Sequence, residues 1–357
     1  MKDLELIREL SNANGAPGFE NEVLKKIMSN NETVFNYEKD STQNLYLYLK
    51  DNYKQDEPSI LLDAHSDEVA FMVQSIKKNG MIKVLPLGNV VPNNATAQKM
   101  RILTNSGLYV KGIVASKPIH FMKADEIDKN ITVDDLMVDV GASSRDEVMN
   151  DYQIEVGAPV VPDVEFEYFE EHDIMMGKAF DNRLGCACVV ETMKKIADQK
   201  MNFNVVGGIA AQEEVGTRGA KVTSNRVKPK IAIVFEGTPA DDNFKEEDEA
   251  QSVLKRGPQI RIRDRSMISN PALVSFAKNV AKDLDIPVQL AVRKGGGTNG
   301  GEIHLSNLGV PTIVLGVPVR YVHTSNGIST LTDFRNCVNL AVGIIKEFNN
   351  KGLDSLN

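Results

Sequence analysis

Four apolar runs in this chain stop at a histidine or a carboxylate. SILLDAH (59–65) ends in His65, and FNVVGGIAAQ (203–212) runs into Glu213-Glu214. KIAIVFE (230–236) ends in Glu236, and PTIVLGVPVRYVH (311–323) ends in His323. Short continuous apolar runs suit strands buried on both faces of a sheet. In open α/β sheets the ligand site lies at the carboxyl ends of the strands. One rim therefore collects His, Glu-Glu, Glu and His, and Asp181, just ahead of a helix in AFDNR, can join them. Core packing asks for none of this, because an unpaired carboxylate is costly to bury.

The rest of the chain fits that frame. Leu4, Ile7 and Leu10 recur at helical spacing, and a second helix is predicted over 19–29. VFNYEKD and NLYLYLKD alternate as strands do. From residue 174 onward helices alternate with strands: NRLGCACVVETMKKIADQ, the strands above, NPALVSFAKNVAKDLD, PVQLAVR and the final DFRNCVNLAVGIIKEFNN. This is the pattern of an α/β sheet with helices on both faces. Between about 68 and 163 the pattern is different. Short β-like pieces are separated by turns at Asn79-Gly80 and Asn105-Ser106-Gly107, which predict hairpins. Only DEIDKNITVDDL and SSRDEVMNDY hint at helical turns there. The expected organisation is a discontinuous α/β domain, 1–67 plus 164–357, with a small β domain, 68–163, inserted into it.

Composition narrows the function classes. Among 357 residues, 41 Lys and Arg face 49 Asp and Glu, for a net charge of −8. That argues against nucleic acid or an anionic membrane as the main partner. No apolar run reaches the roughly 18 residues of a membrane span, and MKDLELIRELSNANG lacks the apolar core of a secretory leader. Three cysteines, Cys186, Cys188 and Cys337, cannot build a disulfide framework and are expected as buried thiols in the reducing cytoplasm.

Two imidazoles with several carboxylates suit borderline divalent ions such as zinc, cobalt or manganese. The set is large enough for two ions, with one carboxylate bridging and one His and one carboxylate terminating each. Three carboxylates and one hydroxide would balance the charge of such a pair, a recurrent hydrolytic arrangement. His65 and Asp67 are two apart, so on extended backbone they face the same way, and Asp67 can hold the His65 ring. His120, His172 and His304 lack such company and are expected to be structural or exposed. Gly295-x-Gly297-x-x-Gly300 formally matches a dinucleotide fingerprint, but no ribose-binding acid accompanies it, and a close-approach loop beside the rim is expected instead. The run DDNFKEEDE (241–249) is expected to be a solvated loop. KRGPQIRIRDR (255–265) alternates like an edge strand, and one of its arginines, Arg256, Arg261, Arg263 or Arg265, could line a substrate pocket.

With these residues identified, the sequence resembles the tetrahedral (TET) di-metal aminopeptidases, a cytosolic family that includes glutamyl, leucyl and lysyl enzymes. The resemblance runs through SNANGAPGFE, LLDAHSDEVAFMV, GIVASKPIHFM, VDVGASSRDEV, KAFDNRLG, AAQEEVGTRGA, GTPADD, GGGTNGGEIHLSNLGVPTIVLGVPVRYVHT and the C-terminal helix. It implies a three-layer catalytic domain, a mixed sheet flanked by helices, with a PDZ-like β-barrel inserted for assembly. It implies that His65 and Glu236 terminate one metal, Glu214 and His323 the other, and Asp181 bridges. Glu213 would be the general base and Asp67 the carboxylate orienting His65. It also implies short peptides as substrates and a dodecamer built from dimers around an enclosed cavity. This chain departs from the family pattern at Glu236, where many relatives carry Asp, and at Thr298-Asn299-Gly300-Gly301, where relatives often read GTDAG. An acidic or broad preference for the first residue is expected from the arginines. The same machinery would serve a deacylase or deacetylase acting on an acylated amine, and a metal-bearing, non-catalytic paralogue is the third possibility. A glycosidase is not, since it needs two free carboxyls.

Overall fold

The computed structural model describes residues 2–29, 31–127 and 129–356. Its centre is an eight-stranded mixed sheet. The order runs Phe35–Lys39, Leu45–Leu49, Asn204–Ala210, Ser59–His65, Ile231–Pro239, Thr312–Val319, Gln259–Arg263, Gln289–Val292. The four inner strands, from Asn204–Ala210 to Thr312–Val319, are mutually parallel. Their carboxyl ends therefore open on one rim.

Alternation along these strands sorts side chains onto two cores. Ile60, Leu62, Ile233, Phe235, Ile313 and Leu315 face one core, which is closed by the helices Lys2–Asn12, Phe180–Ile196 and Leu331–Lys351. Leu61, Ala232, Val234 and Val314 face the other, with Ala220 and Ile303 from the helices Arg218–Val227 and Gly300–Ile303. Both faces are covered, which is why the strands read as continuous apolar runs rather than alternating ones.

Six short antiparallel strands between Ala70 and Pro162 close into a barrel with its own core around Val73, Val84, Ile102, Val138 and Val160. The hairpins turn at Gly80 and Gly107, both at positive φ. The helical turn expected in DEIDKNITVDDL crosses residue 128, outside the described residues; on either side lie the 3-10 turns Ala124–Glu126 and Val133–Asp135. SSRDEVMNDY forms one helical turn at Glu147–Asp151.

Two expectations are corrected. Gln259–Arg263 is not an edge strand: it pairs with Thr312–Val319 on one side and Gln289–Val292 on the other. Its polar alternation reflects buried hydrogen bonds, not solvent. The acidic run is not wholly solvated either. Asp241 accepts from the Gln251 and Ser252 amides, and Asp242 takes a bidentate pair from Arg320. Residues 243–249 are exposed.

A buried polar network joins the N-terminal segment to the segment after His65. Arg183, fully buried, donates to the Ser66, Leu10 and Ala13 carbonyls at 2.7–2.8 Å and to Glu68 at 3.1 Å. Lys178 donates to both Glu68 oxygens at 2.6 and 2.8 Å. Removing one partner of such a buried ionic set typically costs about 3–5 kcal/mol.

Candidate metal centre

The rim is built from five places in the chain. Strand Ser59–His65 delivers His65, 1 % exposed. The turn after Asn204–Ala210 delivers Glu213 and Glu214, and strand Ile231–Pro239 carries Glu236. The segment after Thr312–Val319 delivers His323, and Asp181 stands at the start of helix Phe180–Ile196, where it and Asn182 have non-helical backbone angles. Gly237 allows this approach: a Cβ there would stand 2.5 Å from the Phe180 oxygen and 2.8 Å from the Asp181 Cα. Asn182 clamps the strand around Glu236, donating to the Phe235 oxygen at 2.8 Å and accepting from the Gly237 amide at 3.1 Å.

Asp181 lies between the two imidazoles. Its Oδ1 is 3.2 Å from His65 Nε2 and its Oδ2 is 3.4 Å from His323 Nε2. Glu214 Oε1 is 3.4 Å from His323 Nε2, while Glu236 Oε2 and Glu213 Oε2 are 3.7 and 3.8 Å from His65 Nε2. Two donors about 2.1 Å from one ion at a tetrahedral angle lie roughly 3.4 Å apart. Among the described residues, two triplets of donor atoms fall within 4.8 Å of one another: His65 with Glu213 and Glu236, and His65 with Asp181 and Glu214.

Both rings turn Nε2 inward by the same means. His65 Nδ1 is 3.2 Å from the main-chain oxygen of Asp67, and His323 Nδ1 is 3.0 Å from that of Asn89. A carbonyl only accepts, so each Nδ1 carries a proton and each Nε2 is left facing the carboxylates, where a cation would take the place of its proton. Metal-binding histidines are commonly oriented this way. The Asp67 carboxylate is also 3.5 Å from His65 Nδ1 and has further partners. It accepts from the Glu213 and Glu214 amides at 2.9 and 3.0 Å. Buried Glu20 accepts from the Gln212 amide, one residue earlier. Two carboxylates thus hold the turn that presents Glu213 and Glu214. Ala179, Gln212, Tyr321 and His323, all non-glycine and all at positive φ, flank the centre, and such outliers persist where surrounding structure enforces them.

The electrostatics ask for cations. Burial pushes Glu213 up to about 8, Glu214 above the usual carboxyl range and Glu236 far above it. Burial alone would lower both imidazoles. Instead Glu213, Asp181 and Asp67 lift His65 well above its ordinary value, and Asp181 with Glu214 lifts His323 to about 11. Burial would also raise Asp181, but His323 and His65 hold it well below the carboxylate range. Glu214 Oε1 is buried without a hydrogen bond. The acids outnumber what two imidazoles can neutralise, and the donor set is one that divalent ions fit.

The remaining candidates separate from this centre. His120 and His172 are exposed, and His304 contacts the Gly300 oxygen. The glycine-rich loop ends in buried Asn299, which donates to Asp63 at 2.6 Å and so ties the loop to the sheet. Arg256, Arg263 and Arg265 are exposed. Arg261 is buried and donates to Thr238 at 2.7 Å and Asp264 at 3.3 Å, and its charge favours ionised Glu236. Sequence reasoning missed Glu20, Asn182 and the Asn89 carbonyl. Glu20 and Asn182 stand inside SNANGAPGFE and KAFDNRLG, where their polarity beside glycine and proline was the available signal; a main-chain oxygen leaves none. A cleft beside the centre is lined by Asp181, Tyr321 and His323 from the sheet side and Val69 and Pro162 from the barrel side.

Known proteins resemble this chain over most of its length. A lactococcal glutamyl aminopeptidase from Lactococcus lactis is 31 % identical over 82 % of this chain and 81 % of its own. A lysyl aminopeptidase from Pyrococcus furiosus is 28 % identical over 97 % of this chain and 98 % of its own. The solved TET aminopeptidase of a marine-sediment Thaumarchaeota archaeon superposes with a TM-score of 0.94 at 35 % identity, covering 100 % of both chains. An aminopeptidase from Desulfurococcus kamchatkensis gives 0.92 at 28 % identity, over 100 % of this chain and 98 % of that one. The family profile described as M42 glutamyl aminopeptidase matches residues 44–340, and the chain belongs to that family of aminopeptidase hydrolases.

Proposed function

We propose that this aminopeptidase works with two divalent ions, zinc, cobalt or manganese, and removes the first residue of short peptides. His65 and Glu236 would hold one ion, Glu214 and His323 the other, and Asp181 both. The observation that carries this is Asp181, with one oxygen turned to each histidine Nε2. When bound, such ions polarise the scissile carbonyl and acidify water. Glu213 accepts a proton from water as its oxygen attacks the carbonyl carbon. The C–N bond then breaks, and Glu213 returns the proton to the leaving amine. Asp67 and Glu20 hold the Glu213 turn throughout.

The free N-terminal amine of the substrate suits a rim rich in carboxylates. For the side chain of the first residue we favour an acidic or broad preference, with Arg261 the one of the four arginines whose charge acts on Glu236. The relatives named glutamyl and lysyl aminopeptidase pull this inference in opposite directions. Assembly into a dodecamer is supported by the TET name of the structural neighbour at 35 % identity and by Leu85, Ile113, Phe121 and Val156, apolar and exposed on the barrel. A cytoplasmic location is supported by three buried cysteines without a disulfide. No helix among the described residues is long and apolar enough to cross a membrane.

The test is a panel of aminoacyl-nitroanilides and short peptides, each with a free and an acetylated N-terminus, under added zinc, cobalt or manganese. Release of the first residue only from free termini is expected. Cleavage confined to acetylated substrates would make the protein a deacylase.

A further inference from the structure

The inserted barrel reaches into the proposed metal centre. Asn89, whose oxygen holds His323 Nδ1 at 3.0 Å, follows the barrel strand Ile82–Leu87. The preceding residue, Gly88, lies close to Glu214 on the same side, with no room for a side chain between them. It sits at φ +96°, and a Cβ there would stand 3.0 Å from Val69 Cγ1, 3.2 Å from Glu214 Cβ and 3.4 Å from Glu214 Oε2. Beyond His323, Thr324 and Ser325 line one cleft together with Phe71, Met100 and Pro162 of the barrel.

The two halves of the centre are therefore held differently. His65 is oriented by Asp67, two residues further along the same segment. Glu236 is flanked by the Asn182 clamp within the sheet domain. His323 and Glu214, by contrast, meet backbone supplied by the barrel. We infer that the Gly88–Asn89 segment is a positioning element for the His323–Glu214 half of the centre, so that cation binding there depends on how the barrel is seated. The inference rests on the di-metal reading. It gives the barrel a role at the chemistry itself: a contact that shifts the barrel tunes one ion site and leaves the other.

The test is cobalt(II) titration of the metal-free, full-length protein, read by absorbance and by elemental analysis after gel filtration. Wild type should take up two equivalents. Gly88→Ala should keep one with unchanged affinity and bind the second about 10–100-fold more weakly, the usual loss when a histidine's outer partner is disturbed. Gly107→Ala is the control. It is also at positive φ in the barrel, +80°, but has no atom within 4 Å of its Cβ position, and it should bind both ions as wild type does. Inserting one glycine after Asn89 moves the carbonyl without adding a Cβ and should reproduce the Gly88→Ala loss. Wild-type affinity at both sites in Gly88→Ala or in the insertion would overturn the inference, as would an equal loss in Gly107→Ala. Failure of the wild type to take up cobalt would overturn the di-metal reading and this inference with it.

Discussion

Replacing Asp67 by asparagine tests how the catalytic turn is held. The Asp67 carboxylate is fully buried and accepts from two consecutive amides, Glu213 at 2.9 Å and Glu214 at 3.0 Å. Asparagine keeps one acceptor oxygen and sets an NH₂ group against the other amide. A hydrogen bond to a charged group contributes about 1.5–3 kcal/mol, and a buried N–H left without a partner costs about 1–3 kcal/mol. A penalty near 3 kcal/mol on the Glu213–Glu214 turn corresponds to roughly 100-fold in rate. The His65 ring is bonded to the Asp67 main-chain oxygen, which the substitution leaves in place. Asp67→Asn should therefore lower kcat about 100-fold, change KM little, and retain the ion at His65, whereas His65→Ala should lose that ion. Steady-state kinetics on an aminoacyl-nitroanilide, paired with metal analysis, reads all three. A kcat within about threefold of wild type, or loss of the ion at His65, would refute the assignment of the carboxylate to the turn.

Other outcomes follow from the same geometry. Glu213→Gln should reduce turnover by roughly 10²–10⁴-fold with both ions retained; because Glu213 Oε2 lies 3.8 Å from His65 Nε2, loss of one equivalent would make it a ligand rather than the base. Excision of residues 68–163 should cost the second ion and much stability as well as assembly, since it removes the Asn89 oxygen and Glu68, the partner of Lys178 and Arg183. An excised protein that still binds two ions would contradict this. Assembly is better tested by placing aspartate at exposed Ile113 and Phe121. Analytical ultracentrifugation should show a dodecamer for wild type and a smaller species for the double variant, and an unchanged dodecamer would remove the outer barrel surface as the interface.

Much of the site was legible because it stands where regular patterns stop. A run such as SILLDAH is buried throughout and apolar up to Asp63, and its end is where a parallel sheet exposes its carboxyl termini. Three such ends converge by topology, which is why His65, Glu213, Glu214 and His323 could be gathered from the sequence; Glu236, expected at a strand end, instead lies inside strand Ile231–Pro239, which continues three residues past it. What holds those groups was less visible. Asn89 acts through its main-chain oxygen and Gly88 through the Cβ it lacks, so neither leaves a side-chain signal. Asp67 was expected on the His65 ring from period-two spacing, and its Oδ1 does stand 3.5 Å from Nδ1; that the same carboxylate also accepts from amides 146 and 147 residues away is what spacing does not show. Gln259–Arg263 looked like an edge because its polar alternation resembles a solvated face; buried partners for Gln259 and Arg261 produce the same alternation. Order within a sheet depends on crossover connections that periodicity does not record.

The central claim, catalysis by a pair of divalent ions at this rim, is met most directly by measuring metal content and turnover in the same samples. The purified full-length protein would be stripped stepwise with a strong chelator, with elemental analysis and release of the N-terminal residue from a short peptide recorded at each step. Two equivalents per chain at full activity are predicted, as in other paired-ion hydrolases. Turnover should fall as metal leaves and return when zinc, cobalt or manganese is added back. Undiminished turnover in a sample verified to be metal-free would contradict the account.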